Sequence, residues 1–416
     1  MKIDYKNHSL IKAKLTKEAG IFSAILVIFG LLSAIALPSV SLGGFSAYLV
    51  TLLSPAIFLL ALLLLIKKPL AHRSCLLPLA LFAMVCVSAL VSWISGFSSA
   101  NKRDIIEAIK YLQFFPYLLM VTFLEPNSLK LFHRIIVASS ILVALVGLTQ
   151  ASGFYDATLY VYLDANSAHI DSLVSGSRIT LTGSDPNIGG VIACFFGIYF
   201  FSLYAAYKKY RYMFVFFLFF YLCFLSQSRT ALIALIFGMG AYYLLFFKGF
   251  FILKSATLAF AFSLVIFLVF YLDLSYIYIG IQTALEGNNN SLNIRFENTF
   301  LAIERFMKSP IFGVGPAKSA LDTTIDSEYA LIIQRYGLIG GLIFSTYIVY
   351  LLRLSVRNLR SHWGISLFIF TLMSSLVMIT NNIFSGYQLM SLVVLLNIAC
   401  VLSERKQESL KQENVF

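Results

Sequence analysis

Charge is scarce in this chain. Only 12% of its 416 residues are charged, against 59% hydrophobic, and the mean hydropathy is +0.86. A soluble domain carries about a quarter charged residues. The deficit excludes a soluble fold for most of the chain, and no stretch is both polar enough and long enough to form a separate soluble domain. Cysteine is sparse too. The five cysteines (Cys75, Cys86, Cys194, Cys223 and Cys400) all lie inside apolar runs. None forms a CxxC pair, so neither a disulfide framework nor a thiolate zinc site is indicated. No His/Asp/Glu cluster has metal-ligand spacing, and no GxSxG, Walker or Rossmann signature occurs. No metal and no cofactor is expected. A surplus of basic residues (31 against 19 acidic, net +12) would raise nucleic acid as a partner for a soluble protein. Here the first question is which side of a membrane holds the charge, and no nucleic-acid partner is expected.

What is abundant is apolar sequence in runs near 20 residues, the length that crosses a bilayer. Such runs fall at 21–37, 46–66, 75–95, 108–124, 132–152, 187–207, 212–226, 229–247, 254–273, 328–352, 365–383 and 387–403. The expected fold is all-α, with about 12 transmembrane helices over residues 1–416 as one membrane domain. Alternate connections are basic. The N-terminal tail has Lys2, Lys6, Lys12, Lys14 and Lys17; later connections have Lys67, Lys68 and Arg73, then Lys130 and Arg134, then Lys208, Lys209 and Arg211, then Lys248 and Lys254, then Arg353, Arg357 and Arg360. The C-terminal tail adds Arg405, Lys406 and Lys411. The positive-inside rule therefore puts both termini in the cytoplasm. Lys102 and Arg103, in an outer connection, fit the rule least well. Residues 1–37 could be read as a cleaved signal peptide, with Ala34-x-Ala36 as its site; an uncleaved first span fits the alternation better.

Two outer connections are long, 153–186 and 274–327, and loops of that length are uncommon unless they function. The first holds Arg178 and ends Gly183-Ser184-Asp185-Pro186-Asn187, where Asp185 fits an N-cap followed by proline at the first helical position. The short outer connection Ser226-Gln227-Ser228-Arg229-Thr230 puts Arg229 at a span start. There the topology rule disfavours a basic residue, so anion binding competes with simple snorkelling. Within the second long loop, residues 293–307 are amphipathic. At about 100° per residue, Phe296, Phe300, Ile303 and Met307 form one stripe and Arg295, Asn298 and Arg305 the opposite face. A solvated face pairing with Glu297 and Glu304 is the plain reading; half of an anion clamp is the other. The following Gly313-Val314-Gly315 permits close backbone approach to a ligand or a neighbouring helix. The loop closes Asp326-Ser327-Glu328-Tyr329. Arg335 lies seven residues beyond Glu328 on the same helix face, about 10 Å below the helix start. A charge that deep is a functional candidate, or else the structural partner of Glu328. His169 is the one histidine in an outer loop. The 39 Phe and 23 Tyr include residues that could stack on sugars, but most read as lipid-facing or core.

Four segments together resemble the bacterial O-antigen polymerase (Wzy) and O-antigen ligase superfamily: Arg178 through Gly189 with its Asp-Pro-Asn, Ser226 through Thr230, Arg295 through Gly315, and Asp326-Ser327-Glu328-Tyr329 followed by Tyr336-Gly337-Leu338-Ile339-Gly340. Each is weak alone; their order and the span layout match over essentially the whole chain. The ligase branch typically has His-Asn near the end of the large loop. Here that position reads Asp326-Ser327, which favours the polymerase branch.

The resemblance implies a GT-C-like enzyme of the bacterial inner membrane working at the periplasmic face. It would join undecaprenyl-pyrophosphate-linked oligosaccharide repeat units, with Arg178, Arg229, Arg295, Arg305 and Arg335 facing pyrophosphate and sugar. Asp185, Asn187 and Tyr329 would assist binding, and Asp326 or Glu328 would act as general base. Membrane lipid, a chain-length regulator and a flippase are the implied partners. A ligase that transfers polysaccharide to lipid A-core is the nearest alternative. A secondary transporter should show internal repeats and ionisable residues near the midplane, and neither is visible.

Overall fold

A computed structural model describes residues 5–42, 45–66, 73–154, 156–163, 170–175, 178–247, 249–271, 279, 282–283, 286–287, 290–317, 320–321 and 325–413. His169, Lys67, Lys68, Asp164 and Lys248, together with parts of both long connections, lie outside the described residues. The protein is an all-α, multi-pass membrane protein. Among the described residues six helices are long and apolar enough to cross a membrane: Arg73–Ile94, Pro126–Ala151, Pro186–Tyr207, Arg229–Phe246, Glu328–Arg357 and Tyr387–Gln412. Shorter apolar helices cover Gly20–Ala36, Leu49–Leu65, Tyr210–Leu225, Phe251–Phe260 and His362–Val377.

In chain order the elements are α1 (Tyr5–Ala36), a two-stranded hairpin (β1 Val40–Leu42 and β2 Phe45–Ala47), α2 (Leu49–Leu65), α3 (Leu76–Ile94), α4 (Lys102–Leu112), α5 (Phe115–Met120), α6 (Leu129–Ala151), α7 (Asp156–Tyr162), α8 (Ile170–Val174), α9 (Pro186–Tyr207), α10 (Tyr210–Leu225), α11 (Arg229–Phe246), α12 (Phe251–Tyr271), α13 (Asn290–Lys308), α14 (Glu328–Arg357), α15 (His362–Val377) and α16 (Tyr387–Glu413). The bundle is organised around α16. It packs against α1, α5, α6, α9, α14 and α15, and Leu392 through Leu402 are almost wholly buried along it. With no hydrophobic drive between helices in lipid, such a centre depends on close packing. Phenylalanine supplies much of it: Phe196, Phe200 and Phe219 stack between α9 and α10, and Phe195 meets Phe370 of α15 edge to face.

Eleven of the expected spans are helices of the described residues. The twelfth, 108–124, is not one helix. Its outer part belongs to α4, whose N-cap Asn101 accepts from the Arg103 N–H, and α5 begins with Pro116 in its first turn. The charged face of α4 (Asp104, Glu107, Lys110) and the helix-breaking Phe114-Phe115-Pro116 together prevent a continuous apolar rod. The hairpin of β1 and β2 is a second departure from the expected plain connection. Val40 pairs with Ala47 and Leu42 with Phe45, antiparallel.

Side-chain ties define the two ends of the bundle. At the loop end lie 178–187, 226–230, α13, the start of α14 and the 378–388 connection. At the opposite, tail end lie the starts of α6, α10 and α15 and the C-terminal part of α16.

Candidate functional site

The loop end is built on backbone that departs from regular helix. Loop 178–186 is held by Gln150, at the end of α6. Its Oε1 accepts from the Thr180 and Leu181 N–H groups (3.1 and 2.8 Å), and its Nε2 donates to the Leu181 carbonyl (2.9 Å). The Ile179 N–H bonds to the Leu225 carbonyl at 3.1 Å, tying the loop to the end of α10. Arg178 is buried. Its Nε donates to the Ser226 carbonyl (3.0 Å) and its Nη2 lies 3.4 Å from Asn187 Oδ1. The same Oδ1 accepts from Ser228 Oγ (3.2 Å). Asp185 caps α9, with Oδ1 accepting from Asn187 and Ile188 N–H at 2.7 and 3.0 Å. The N-cap expected at Asp185 is present, and Arg178 and Asn187 meet at the 226–228 corner. Ser228 caps α11, and Arg229 stands half-buried at that helix start.

On α13 the two faces separate as the periodicity requires. Phe296, Phe300 and Met307 are 61–67% exposed. On the opposite side Ala302 is buried against Ile325 and Leu331. The arginine face thus turns to the protein and the apolar stripe turns out. Arg295 Nε lies 3.4 Å from Asp326 Oδ2, both partly exposed. Arg305 Nη1 is buried and finds no hydrogen-bond partner among the described residues. Burial pulls its guanidinium down from the ordinary value, yet an arginine keeps its charge.

Two expectations change. Glu328 is fully buried, and its carboxylate is closed by four donors: the N–H groups of Ile383 (2.6 Å), Phe384 (3.0 Å) and Ser385 (3.1 Å), and the Ser385 hydroxyl. A carboxylate so occupied anchors a loop and has no lone pair aimed at an acceptor hydroxyl. Nor is Glu328 the partner of Arg335, although the two were expected to share a face. Arg335 Nη1 instead meets Glu107 Oε1 at 3.0 Å, and Glu107 Oε2 meets Lys110 Nζ at 3.0 Å. Glu328 is taken up by the 383–385 donors, and the carboxylate that faces Arg335 is Glu107 of α4. Two residues beyond Arg335, α14 breaks at Gly337 (φ 62°, ψ −161°). At the break the Val314 and Gly315 N–H groups bond to the Gln334 and Arg335 carbonyls (both 2.9 Å), and the Leu338 N–H bonds to the Pro310 carbonyl (2.8 Å). A Cβ at Gly337 would overlap the Ile311 carbonyl oxygen, and one at Gly313 the Arg335 carbonyl. The glycine-rich turn is thus a close approach to a helix. Tyr329 is occupied as well: its hydroxyl donates to the Ser375 carbonyl at 2.8 Å.

The sequence reading missed Glu107, Lys110 and the 378–388 connection. That connection ties several parts of the site together. Thr380 Oγ1 bonds to Thr230 Oγ1 (3.1 Å), Asn382 Nδ2 to the Ile325 carbonyl (3.3 Å), Ser385 to Glu328, and Gln388 Nε2 to the Thr182 carbonyl (3.4 Å). Lys110 lies over the Tyr387 ring (5.6 Å), which stacks on Tyr48. The signal was a polar run, Thr380-Asn381-Asn382, between two apolar spans. An apolar cleft of about 350 Å³ opens between α3 and the α4 face that carries Asp104, Ile105, Ala108 and Ile109, lined also by Phe82, Val85, Leu90 and Trp93.

Residues 214–345, from α10 through the break in α14, match the family model described as O-antigen ligase. This stretch, about a third of the chain, is similar to the O-antigen ligase family. The match does not separate the two branches. No curated protein matches the chain. Members of this superfamily are glycosyltransferase-like enzymes that act on lipid-linked polysaccharide. The matched stretch contains Arg229, Arg295, Arg305, Asp326, Glu328 and Arg335, while Arg178, Glu107 and the 378–388 connection come from outside it.

Proposed function

We propose that this protein is the polymerase of a surface polysaccharide, joining undecaprenyl-pyrophosphate-linked repeat units at the periplasmic face of the bacterial inner membrane, with both termini in the cytoplasm. One observation carries the choice over a ligase. Asp326, and no histidine, stands at the end of the large loop beside Arg295, while His133 and His362 lie at the opposite end of the bundle. The acceptor hydroxyl of an incoming unit attacks the anomeric carbon of the growing chain. Its proton passes to Asp326, the bond from that carbon to the pyrophosphate oxygen breaks, and the electron pair leaves with undecaprenyl pyrophosphate. Negative charge grows on the leaving group, so fixed cations lower the barrier. Arg335 and Lys110, sharing one carboxylate, keep a net positive charge for it. Arg178, Arg229, Arg295 and Arg305 line the approach, arginine forks being matched to phosphate oxygens. Asp185 and Asn187 hold the Arg178 corner, and Tyr329 braces α14 against α15. The α3–α4 cleft receives the start of the isoprenoid chain. A chain-length regulator and a flippase are the partners this reaction requires.

Deleting the gene and resolving the surface polysaccharide by gel tests the reading. Loss of a polymerase leaves single repeat units on lipid A-core. Loss of a ligase leaves none, which would move the protein to the other branch. An unchanged ladder would remove both.

A further inference from the structure

The tail end holds a cavity of about 560 Å³ that the reaction above does not use. Its rim carries Lys130 and Arg134 of α6, Arg360 before α15, and Lys406 of α16. All four are exposed, none is in an ion pair among the described residues, and no acidic residue lines the cavity. Its wall is apolar, with Leu129, Leu203 and Ala206. Its floor is His362, only 9% exposed. The Nδ1 of His362 lies 3.4 Å from the Tyr207 hydroxyl, while its Nε2 is buried without a hydrogen-bond partner. His362 also opens α15, whose N-terminal end carries partial positive charge. A buried polar atom left unpaired is destabilising. The positive-inside rule accounts for basic residues at this end. It does not account for their convergence on one hollow or for the orphaned ring nitrogen.

We infer that this cavity binds a phosphate-bearing anion, the phosphate seated between Arg134, Arg360, Lys130 and Lys406. The apolar wall fits the glycerol end of an anionic phospholipid, and the volume falls within the range of small-ligand sites. Basic pockets between membrane helices suit such headgroups. The site lies at the far end of the bundle from the proposed chemistry, so it stands whichever branch of the superfamily the enzyme belongs to.

The test uses the full-length protein purified in a zwitterionic detergent, with phosphatidylglycerol and inorganic phosphate as separate probes against phosphatidylcholine. Retained lipid is read by native mass spectrometry and thermal unfolding by light scattering. Phosphatidylglycerol should be retained in preference to phosphatidylcholine. Arg134→Gln with Arg360→Gln should weaken retention about 30-fold, the effect of removing two basic residues from an anionic headgroup. Lys209→Gln with Arg353→Gln removes the same charge from the same end outside the cavity and should retain the lipid. Stabilisation by phosphate but not by the lipid would keep the site and name a soluble ligand. Two results overturn the inference: neither probe distinguishes wild type from the cavity variant, or the control variant loses as much as the cavity variant. Should the arginine pair fail to fold, Lys130→Gln with Lys406→Gln, both on the exposed rim, carries the same expectations.

Discussion

Replacing Glu107 by Gln separates stability from chemistry at the loop end. Glu107 is buried and touches Arg335 and Lys110 at 3.0 Å each. At an effective dielectric near 20, one such contact is worth about 5 kcal/mol of gross Coulomb attraction. Desolvation offsets much of that, but removing one partner of a buried pair still costs about 3–5 kcal/mol, because the other charge is left uncompensated. Glu107→Gln strands two cations at once, so the loss belongs in that range. Unfolding entropy near 2.1 cal/mol/K per residue over 416 residues gives about 1 °C per kcal/mol. The unfolding temperature should fall by roughly 3–5 °C. Arg335→Gln should cost less, since Glu107 keeps Lys110. The double variant should be more stable than additivity allows by over about 0.5 kcal/mol. Chain growth should follow the opposite order: Arg335→Gln loses a cation at the proposed leaving group, whereas Glu107→Gln retains both. Thermal unfolding of the purified variants and polysaccharide ladders from complemented cells give the two readouts. Additive stabilities, or an Arg335→Gln variant with a normal ladder, would refute the reasoning.

Asp326→Asn should leave unfolding unchanged and reduce polymerisation by about 100-fold or more, as loss of a general base does; Glu328→Gln should lower the unfolding temperature, since the amide cannot accept all four loop donors, and the reverse pattern in a turnover assay would move the base to Glu328. Gly337→Ala should be destabilised by at least about 2 kcal/mol, combining a backbone conformation reserved for glycine with a clash at the Ile311 carbonyl; a variant that unfolds with wild type would show that the break in α14 is not required. Arg178→Lys keeps the charge but not the fork that reaches both Ser226 and Asn187, so it should shorten chains, and a normal ladder would leave Arg178 outside the site.

Most of the fold was legible because membrane spans announce themselves by composition. Hydropathy located eleven helices, although α1 begins 16 residues before its expected span and α16 runs 10 residues past its own. It failed at 108–124, where one apolar average concealed the amphipathic α4 and the proline of α5. The arginines of the candidate site were legible because charge at an outer span end has few plain explanations. Their partners were not. Glu107 lies 228 positions from Arg335, and spacing along one helix pointed to Glu328 instead. The 378–388 connection escaped notice because its work is done by neutral groups, Thr380, Asn382, Ser385 and Gln388, which carry no signal in a charge count.

Glu328 and Arg335 both precede the break in α14, so spacing misled through their partners: the 383–385 donors close Glu328, and Glu107 faces Arg335. The helix that carries Arg335, α14, breaks two residues later. Opening it at Gly337 leaves the carbonyls of Gln334 and Arg335 and the N–H groups of Leu338 and Ile339 without helical partners. Inside a membrane such groups need partners from the protein. The 310–315 turn supplies them, with N–H groups from Val314 and Gly315 and carbonyls from Pro310 and Ile311. Ser88 adds a hydroxyl to the Arg335 and Phe312 carbonyls. The two strands of backbone can approach that closely only where Gly313 and Gly337 lack a Cβ. The result is an arginine whose main chain is fixed from both sides and whose side chain is fixed by Glu107. A cation held in place before substrate arrives needs no reorganisation when charge develops on a leaving group. In the proposed reaction the glycines act through Arg335, by setting its backbone, without touching the substrate themselves.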